Sequence, residues 1–247
     1  MTILAPATTE VDRLVAAKGA ATVAVCIPAR DEAATIGPVV AAAHRLAACG
    51  LVDELVVVDD GSADATAALA AAGGARVVPS AGGPGKGQAL SCAVAATTAD
   101  LLVFADADVA NFSERYVAGL VAPLLAHPAV QLVKGAYRRP LHGLPGEGGR
   151  VTELVARPLL ERFFPPLATV AQPLAGETAV RRSALRGLLL DDGYAVEIGL
   201  LIDVYRRYGR AAVADVDLGE RVHRNRPLAD LRPHATAVLD AVLSRLS

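Results

Sequence analysis

The chain has 247 residues, 53% of them hydrophobic, and a formal net charge of −2 at neutral pH. This balance lacks the basic excess that marks nucleic-acid-binding proteins. No uninterrupted apolar run reaches the roughly eighteen residues that a membrane-spanning helix requires, so we expect no integral membrane segment. The length is sufficient for one large α/β domain with a substantial core.

Strands and helices alternate along the first half of the chain. A polar and Ala-rich lead with one short helix comes first. The apolar runs then predict buried strands at 22–27, 55–58, 76–78 and 101–105, and helices at 35–48, after Ser62 or Asp64, and at 86–97. Such alternation implies right-handed crossovers and a doubly wound, mainly parallel sheet.

The fourth of these strands carries the most informative pattern. Five apolar residues, 101–105, lead into Asp106 and Asp108, which alternation places on the same side of the chain. The carboxyl ends of buried parallel strands are where open α/β sheets bind ligands. Carboxylate oxygens suit Mg²⁺ or Mn²⁺, and such an ion would hold a diphosphate. On its own, however, Asp-x-Asp fits a solvated strand end equally well.

Polar residues also follow the first two strands. Residues 28–32 read Pro-Ala-Arg-Asp-Glu, and residues 59–62 read Asp-Asp-Gly-Ser. The first segment could be a simple turn and helix start, or a loop whose carboxylates accept from a nucleobase or ribose. Because the carboxyl ends of parallel strands meet at one edge of a sheet, the combination favours a nucleotide site.

A glycine-rich stretch, residues 82–87, presents Lys86 at the start of a helix. A helix N-terminus and its free N–H groups favour phosphate, so Lys86 is a candidate diphosphate ligand. The stretch is not a Walker loop, because Gly87 stands where that motif needs a hydroxyl. The alternative is an exposed loop with a solvated lysine.

The alternation ends in the second half of the chain. The sequence predicts helices at 113–126, 150–163 and 197–208 and at the C-terminus, and strands at 130–136, 174–180 and 211–216. A Pro/Gly-rich loop at 140–149 and a polar loop through Asn225 lie between them. Pro158 would bend or restart the helix at 150–163. No linker is long enough to separate domains.

The three cysteines, Cys26, Cys49 and Cys92, have no metal-binding spacing, so we expect reduced, mostly buried thiols in a cytoplasmic protein.

Together, the motifs at 28–32, 58–66, 85–90 and 106–108 resemble the family-2 glycosyltransferases of the GT-A fold. Motifs in the second half, at 130–134, 148–154, 172–177, 193–203 and 223–225, are similar to those of the glucosyl-3-phosphoglycerate synthase family. The resemblance covers about 22–235. It implies a single α/β domain in which 1–21 is a lead, 22–110 a nucleotide-sugar-binding half, 111–235 an acceptor-binding half and 236–247 the end of a C-terminal helix.

The resemblance also implies an activity and its partners. Members transfer glucose from UDP-glucose, or another nucleoside diphosphate glucose, to 3-phosphoglycerate with Mg²⁺ or Mn²⁺ and with retention of configuration. A cytoplasmic homodimer that binds a nucleotide-sugar donor and a phosphorylated small-molecule acceptor, and no nucleic acid, is the corresponding expectation.

Site residues follow from the same resemblance. The catalytic residues would be Asp108, Glu197 and Lys86, and the metal ligands Asp108 and His223. The donor would contact Pro28, Ala29, Arg30, Asp31, Glu32, Asp60, Lys86, Asp106 and Ala107. The acceptor would contact Gly149, Arg150, Thr152 and Asn225.

The chemistry of several of these residues can be judged separately. An arginine at a helix N-terminus is unfavourable to the helix dipole, so Arg150 beside Gly149 favours a built anion site. His223 taken alone would be a surface histidine among arginines. Glu177 and Glu197 are acids in apolar sequence, and both are candidates for sugar hydroxyls or proton handling. Glu197 could equally be the first-turn carboxylate of its helix.

Other functions share parts of this pattern. A related transferase could use a mannosyl donor or a polyprenyl-phosphate acceptor, although the latter needs an apolar groove or amphipathic anchor that the sequence does not reveal. A pyrophosphorylase-like nucleotidyltransferase usually has a Gly-rich basic loop after the first strand, where this chain has Pro-Ala-Arg-Asp-Glu. A non-catalytic nucleotide-sugar sensor would not need the metal and acceptor motifs.

Overall fold

The computed structural model describes residues 2–4, 11–81, 85–138, 149–222 and 228–246. Its strands are β1 (Thr2–Leu4), β2 (Val23–Ala29), β3 (Glu54–Asp59), β4 (Arg76–Pro79), β5 (Leu101–Phe104), β6 (Leu132–Arg138), β7 (Thr178–Arg181) and β8 (Val213–Glu220). The α-helices are α1 (Val11–Lys18), α2 (Ile36–Ala48), α3 (Thr66–Ala72), α4 (Lys86–Ala96), α5 (Glu114–Ala126), α6 (Arg157–Phe163), α7 (Arg182–Leu185), α8 (Val196–Tyr208) and α9 (Arg232–Leu243).

Within the described residues the strands form one eight-stranded sheet in the order β1-β8-β6-β7-β5-β2-β3-β4. Only β7 runs antiparallel to its neighbours, β5 and β6, and the other pairings are parallel. The predicted α/β fold with a doubly wound, mainly parallel sheet in a single domain is therefore confirmed.

Helices cover both faces of the sheet. Alternate residues of β2 divide between two apolar cores, with Val23, Val25 and Ile27 in one and Ala24 and Cys26 in the other. Apolar residues of α1, α2 and α5 complete the first core, and those of α4, α6, α8 and α9 complete the second. Because both faces are buried, the central strands are continuous apolar runs.

The strand order creates the crevice in which a ligand can bind. The chain passes from β2 outward to β3 and β4, and then crosses to β5 on the other side of β2. Such a reversal of direction leaves a gap at the carboxyl ends of the two central strands. Residues 28–32 and 106–108 follow those two strands and therefore face each other across the crevice.

The strand predicted over 174–180 is wrong in its first part, because β7 begins only at Thr178. The Ala175 carbonyl accepts a hydrogen bond from Lys134 Nζ at 2.7 Å and another from Thr178 Oγ1 at 3.0 Å. The hydrogen bonds of this carbonyl therefore go to side chains rather than to a neighbouring strand.

The lead also contains a short strand, β1, that its polar composition did not predict. Strand β8 continues to Glu220, beyond the predicted end, because it pairs with β6 that far.

Pro158 has the local effect that its chemistry requires. A π-helical turn, Thr152–Ala156, directly precedes α6, and Pro158 lies in the first turn of that helix. Proline lacks an N–H group, and its ring clashes with the carbonyl four residues earlier. The wider π turn accommodates both restrictions, so the chain continues as a helix.

The cysteines are free thiols, but only Cys26 is buried, and burial raises its pKa to about 12. The prediction of mostly buried thiols is wrong for Cys49, which is exposed where it ends α2, and for the half-buried Cys92. Among the described helices, none combines the length and the apolar character needed to cross a membrane.

Candidate active site

A pocket of about 820 Å³ opens at the carboxyl edge of the sheet, over β2 and β5. Every residue predicted to contact the donor lines it: Pro28, Ala29, Arg30, Asp31, Glu32, Asp60, Lys86, Asp106 and Ala107. Asp108, Glu197, Gly149, Arg150 and Thr152 line it as well. The fold thus brings the predicted donor, acceptor and catalytic residues of the described segments together in one cavity.

The loops that follow β2 and β3 are bonded to each other. Asp31 has a left-handed backbone with φ of 54°, which is uncommon outside glycine. Its N–H donates to Ser62 Oγ at 3.1 Å, and its Oδ1 accepts from the Ala63 N–H at 2.7 Å. The Glu32 N–H donates to Thr66 Oγ1 at 2.8 Å. Hydrogen bonds with Ser62, Ala63 and Thr66 therefore fix the backbone at Asp31 and Glu32. A strained backbone conformation such as that of Asp31 persists only where the surrounding structure stabilises it in this way.

The start of α4 is held on two sides. Asp60 Oδ2 accepts a hydrogen bond from the Gly85 N–H at 2.9 Å, which ties the residue before Lys86 to the loop after β3. On the opposite side the main chain of residue 191 packs directly on Gly87. A Cβ at Gly87 would lie 1.9 Å from the Asp191 carbonyl oxygen, so only glycine fits there.

Lys86 lies at the centre of the pocket between two carboxylates. Its Nζ is 2.6 Å from Asp106 Oδ1 and 2.6 Å from Glu197 Oε1. Burial alone would lower the pKa of Lys86, but the charges of Asp106 and Glu197 outweigh burial and raise it. Lys86 therefore stays protonated as a fixed positive charge. Glu197 is the first-turn carboxylate of α8, as one of the two sequence interpretations has it, and it is also a partner of this lysine.

Arg221, which directly follows β8, forms a second charge centre beside the first. It is 4% exposed, and its Nη2 is 2.7 Å from Asp106 Oδ2 and 2.9 Å from Asp108 Oδ1. The two carboxylates of the Asp-x-Asp motif thus converge on one group. Strand alternation is not the cause, because β5 ends at Phe104 and both aspartates lie in the segment that follows it.

The carboxylates of Asp106 and Asp108 have the chemistry that a divalent cation requires. The described residues contain no group of three or more His, Cys, Asp or Glu side chains that could hold a metal ion. Two carboxylates that converge on one cationic group are nevertheless suitable hard oxygen ligands for Mg²⁺ or Mn²⁺. The remaining ligands would have to come from elsewhere, such as the donor diphosphate. His223 and Asn225, predicted as a metal ligand and an acceptor contact, lie outside the described residues.

The other end of the pocket begins where Gly149 leads into a helical segment. Gly149 has a φ of 84°, a conformation that favours glycine, and its carbonyl accepts the Glu153 N–H at 3.1 Å. Arg150 and the buried Thr152 follow in the first turn. Free N–H groups, a guanidinium and a hydroxyl at a helix start can bind an anion.

Glu177 is placed differently from Glu197. It is 0% exposed and lies below the pocket, where its Oε1 is 3.4 Å from Arg221 Nε. Burial raises the pKa of Glu177, and Asp106 adds to that effect, while Arg221 opposes it. The hypothesis that Glu177 contacts a sugar hydroxyl is not supported, because its side chain is fully buried and it is not among the residues that line the pocket.

Sequence reasoning missed the contribution of the C-terminal third. Arg221 was only part of a predicted polar loop, although a cation after a strand of the same sheet was the available signal. Tyr194 and His234 line the pocket with ring centroids 3.5 Å apart. His234 belongs to α9, and nothing in its local sequence indicates that this helix packs against the pocket.

Comparison with known proteins agrees with this geometry. The sequence profile of glycosyl transferase family 2 matches residues 24–186. A glucosyl-3-phosphoglycerate synthase from Mycolicibacterium paratuberculosis is 47% identical over 250 residues, which cover 95% of this chain and 75% of that protein.

Solved structures of glucosyl-3-phosphoglycerate synthase from Mycobacterium tuberculosis are also similar. One, in complex with Mn²⁺, UDP-glucose and phosphoglyceric acid, has a TM-score of 0.91 and 45% identity, covering 99% of this chain and 86% of that one. Another, in complex with Mg²⁺ and UDP, has a TM-score of 0.92 and 46% identity, covering 100% of this chain and 86% of that one. The chain therefore belongs to glycosyl transferase family 2, among the glucosyl-3-phosphoglycerate synthases.

Proposed function

We propose that this protein transfers glucose from UDP-glucose to 3-phosphoglycerate in a reaction that requires Mg²⁺ or Mn²⁺. The observation that carries the proposal is one continuous pocket with chemically different ends. One end is lined by the loops after β2 and β3, the other by Gly149, Arg150 and Thr152, and Lys86 lies between them. A donor diphosphate and an acceptor phosphate can be bound at the two ends of such a pocket. The relatives carry the corresponding name.

The chain's own residues divide the work. Residues 28–32 and Asp60 contact the nucleoside, while Asp106 and Ala107 contact the diphosphate and sugar. Lys86 stabilises the negative charge that develops on the departing diphosphate, because its ammonium is already fixed by Asp106 and Glu197. Arg150, with Gly149 and Thr152, binds the acceptor phosphate by charge-assisted hydrogen bonds.

Asp108 would hold the divalent cation, with His223 as the second protein ligand that the family resemblance implies. When bound, such an ion supplies positive charge to the leaving diphosphate. In the present structure Arg221 contacts both carboxylates of the Asp-x-Asp motif, so it must yield or share Asp108 when the cation binds.

We propose further that the reaction retains the anomeric configuration. Inversion needs a base within hydrogen-bond reach of the attacking hydroxyl, on the face opposite the leaving group. Among the described residues that line the pocket, the acceptor end carries no carboxylate, and Asp106 and Glu197 are engaged by Lys86. The departing diphosphate can itself accept the proton on the same face of the sugar.

The test is a donor and acceptor panel. The protein is incubated with UDP-glucose, GDP-glucose or GDP-mannose, with and without 3-phosphoglycerate, in Mn²⁺, Mg²⁺ or excess chelator. Glucosyl-3-phosphoglycerate should form from UDP-glucose only with acceptor and metal present. Proton NMR of the fresh product should give the small anomeric coupling constant of an α-glucoside. A large, β-type coupling would contradict retention, and absence of product from all three donors would contradict the function.

A cytoplasmic homodimer is part of the same proposal. The free thiols suit a reducing compartment. Leu239, Leu243 and Leu246, near the C-terminus, are 39 to 45% exposed and would be covered in a dimer. Light scattering coupled to gel filtration measures the state directly, and a monomer at micromolar concentration would contradict the dimer.

A further inference from the structure

A second lysine lies beneath the pocket and belongs to none of the site residues above. Lys134, on β6, is 1% exposed and is among the largest fully buried side chains of the protein. The register pairs Lys134 with Thr178 and Thr178 with Phe104, so one row of the sheet leads from this lysine to the strand that ends in Asp106. A lysine is almost never fully buried without a specific partner.

The partner on one side is the backbone beneath Asp106. Lys134 Nζ donates to the Ala175 carbonyl at 2.7 Å. The next residue, Gly176, packs so closely under the carboxylate that a Cβ there would lie 2.3 Å from both Asp106 oxygens. Lys134 therefore anchors the segment on which the Asp106 carboxylate rests.

On the other side, Lys134 faces Glu197. Both side chains, with Gly176 and Thr178, line a cavity of about 10 Å³. That volume is close to the smallest that accommodates one water molecule. Lys134 and Glu197 thus border the same small cavity, and the carboxylate lies close enough to act electrostatically on the ammonium.

Asp106 and Glu197 are the two carboxylates that hold Lys86 in the pocket. Lys134 supports the first through the Ala175–Gly176 backbone and the second across the cavity. We propose that Lys134 is a positioning residue for glucosyl transfer, which fixes both carboxylate partners of Lys86 from below without touching either substrate. This inference rests on the proposed function and extends it to a residue outside the pocket.

Charges from four elements face Lys134. They are Glu197 on α8, Lys86 on α4, Glu177 before β7 and Asp215 on β8. Burial lowers the pKa of Lys134 to about 8, against the partial compensation of the three carboxylates. Its positive charge is therefore lost within a range that steady-state kinetics can reach.

The experiment compares Lys134→Met with the parent and with Lys18→Met. Lys18 is a matched control, because it is also buried and donates to a carbonyl, Gly50 O at 2.8 Å, but lies outside the pocket and pairs with Asp53. We expect Lys134→Met to lower kcat roughly tenfold to a hundredfold, the range for loss of a charged hydrogen bond, with both KM values within about threefold. Lys18→Met should lower the melting temperature and leave kcat unchanged.

The pH profile separates positioning from a merely structural role. The kcat of the parent should fall above about pH 8, whereas that of Lys134→Met should be low and flat over the same range. Lys134→Gln, which keeps a donor for the Ala175 carbonyl but carries no charge, should have an intermediate kcat. A folded Lys134→Met protein with the parent's kcat would overturn the inference, as would a slow variant that retains the parent's descending limb.

If neither variant folds, the test is the pH dependence of kcat for the parent protein. A kcat that stays constant up to about pH 9.5 overturns the inference. Failure of the proposed function is a separate result: it would appear as absence of transfer by the parent. Calorimetric titration of UDP-glucose with Mn²⁺ into parent and Lys134→Met should give affinities within about threefold of each other, because Lys134 touches neither ligand and acts only through the position of Asp106. A much larger loss of donor affinity would also overturn the positioning role.

Discussion

The two ends of the pocket are constructed in different ways. The donor end is made by loops that follow consecutive parallel strands, and these loops are bonded to each other through Asp31, Ser62, Glu32 and Thr66. The acceptor end combines Arg150, the turn at 193–195 and helix α9, which are far apart in the chain. The donor end is therefore fixed by hydrogen bonds between segments that follow two neighbouring strands. The acceptor end depends on long-range packing and can change without disturbing the donor end.

The largest effect is expected at the strand end that serves both regions. Asp108→Ala should abolish transfer, because it removes the carboxylate proposed to hold the cation and one of the two Asp-x-Asp carboxylates that pair with Arg221. Excess chelator should do the same to the parent. Glucose transfer is measured by mass spectrometry, with the exposed Asp240→Ala as control and the melting temperature as a check on folding. Full activity in chelator would contradict metal dependence.

A smaller effect is expected where the two ends meet. Lys86→Met should lower kcat by about a hundredfold to a thousandfold, the usual range for loss of one preorganised group that stabilises transition-state charge. Glu197→Gln should be slowed rather than silent, since the amide still fits beside Lys86. Steady-state kinetics of the two variants give the order of these effects. If Glu197→Gln were as slow as Lys86→Met, the carboxylate would have to act directly on the reacting groups.

The acceptor end can be weakened by itself. Arg150→Ala should raise the KM for 3-phosphoglycerate by roughly tenfold to over a hundredfold, since a charge-assisted pair contributes about 1.5–3 kcal/mol. The KM for UDP-glucose should barely move, because Arg150 belongs to the segment proposed to bind the acceptor phosphate. Initial rates with each substrate varied in turn supply both constants. Equal losses for donor and acceptor would mean that Arg150 supports the whole pocket.

A change at the donor end should raise the KM for UDP-glucose and leave the KM for 3-phosphoglycerate unchanged. This is the smallest of the expected effects. Thr66 is 0% exposed, and Thr66→Val leaves the Glu32 N–H without its partner. An unsatisfied buried donor costs about 1–3 kcal/mol, so the melting temperature should fall by several degrees. The KM for UDP-glucose should rise a few-fold and that for 3-phosphoglycerate should not. A rise in both would show that the two ends are not independent.

The same contrast explains what the sequence could predict. Asp60, Lys86 and Asp106 were identifiable because they follow strands or open a helix, and parallel strands bring such positions to one edge. Arg221 and His234 were not identified, because their place depends on the register of β8 with β6 and on the packing of α9. The predicted strand at 174–180 began too early, again because of contacts that are distant in sequence. Lys134 and Thr178 satisfy the Ala175 carbonyl, and Lys134, which is 41 residues away, leaves no local signal there.

The close contact at Gly87 has a consequence for substrate choice. The main chain at the start of α4 and the main chain of residue 191 meet there without a side chain between them, since even a Cβ would lie 1.9 Å from the Asp191 oxygen. The contact fixes the start of α4, and with it Lys86, against residue 191. We therefore expect a nearly constant span between the diphosphate site and the phosphate site proposed above. The acceptors used should then be those whose hydroxyl and phosphate are separated by a matching length.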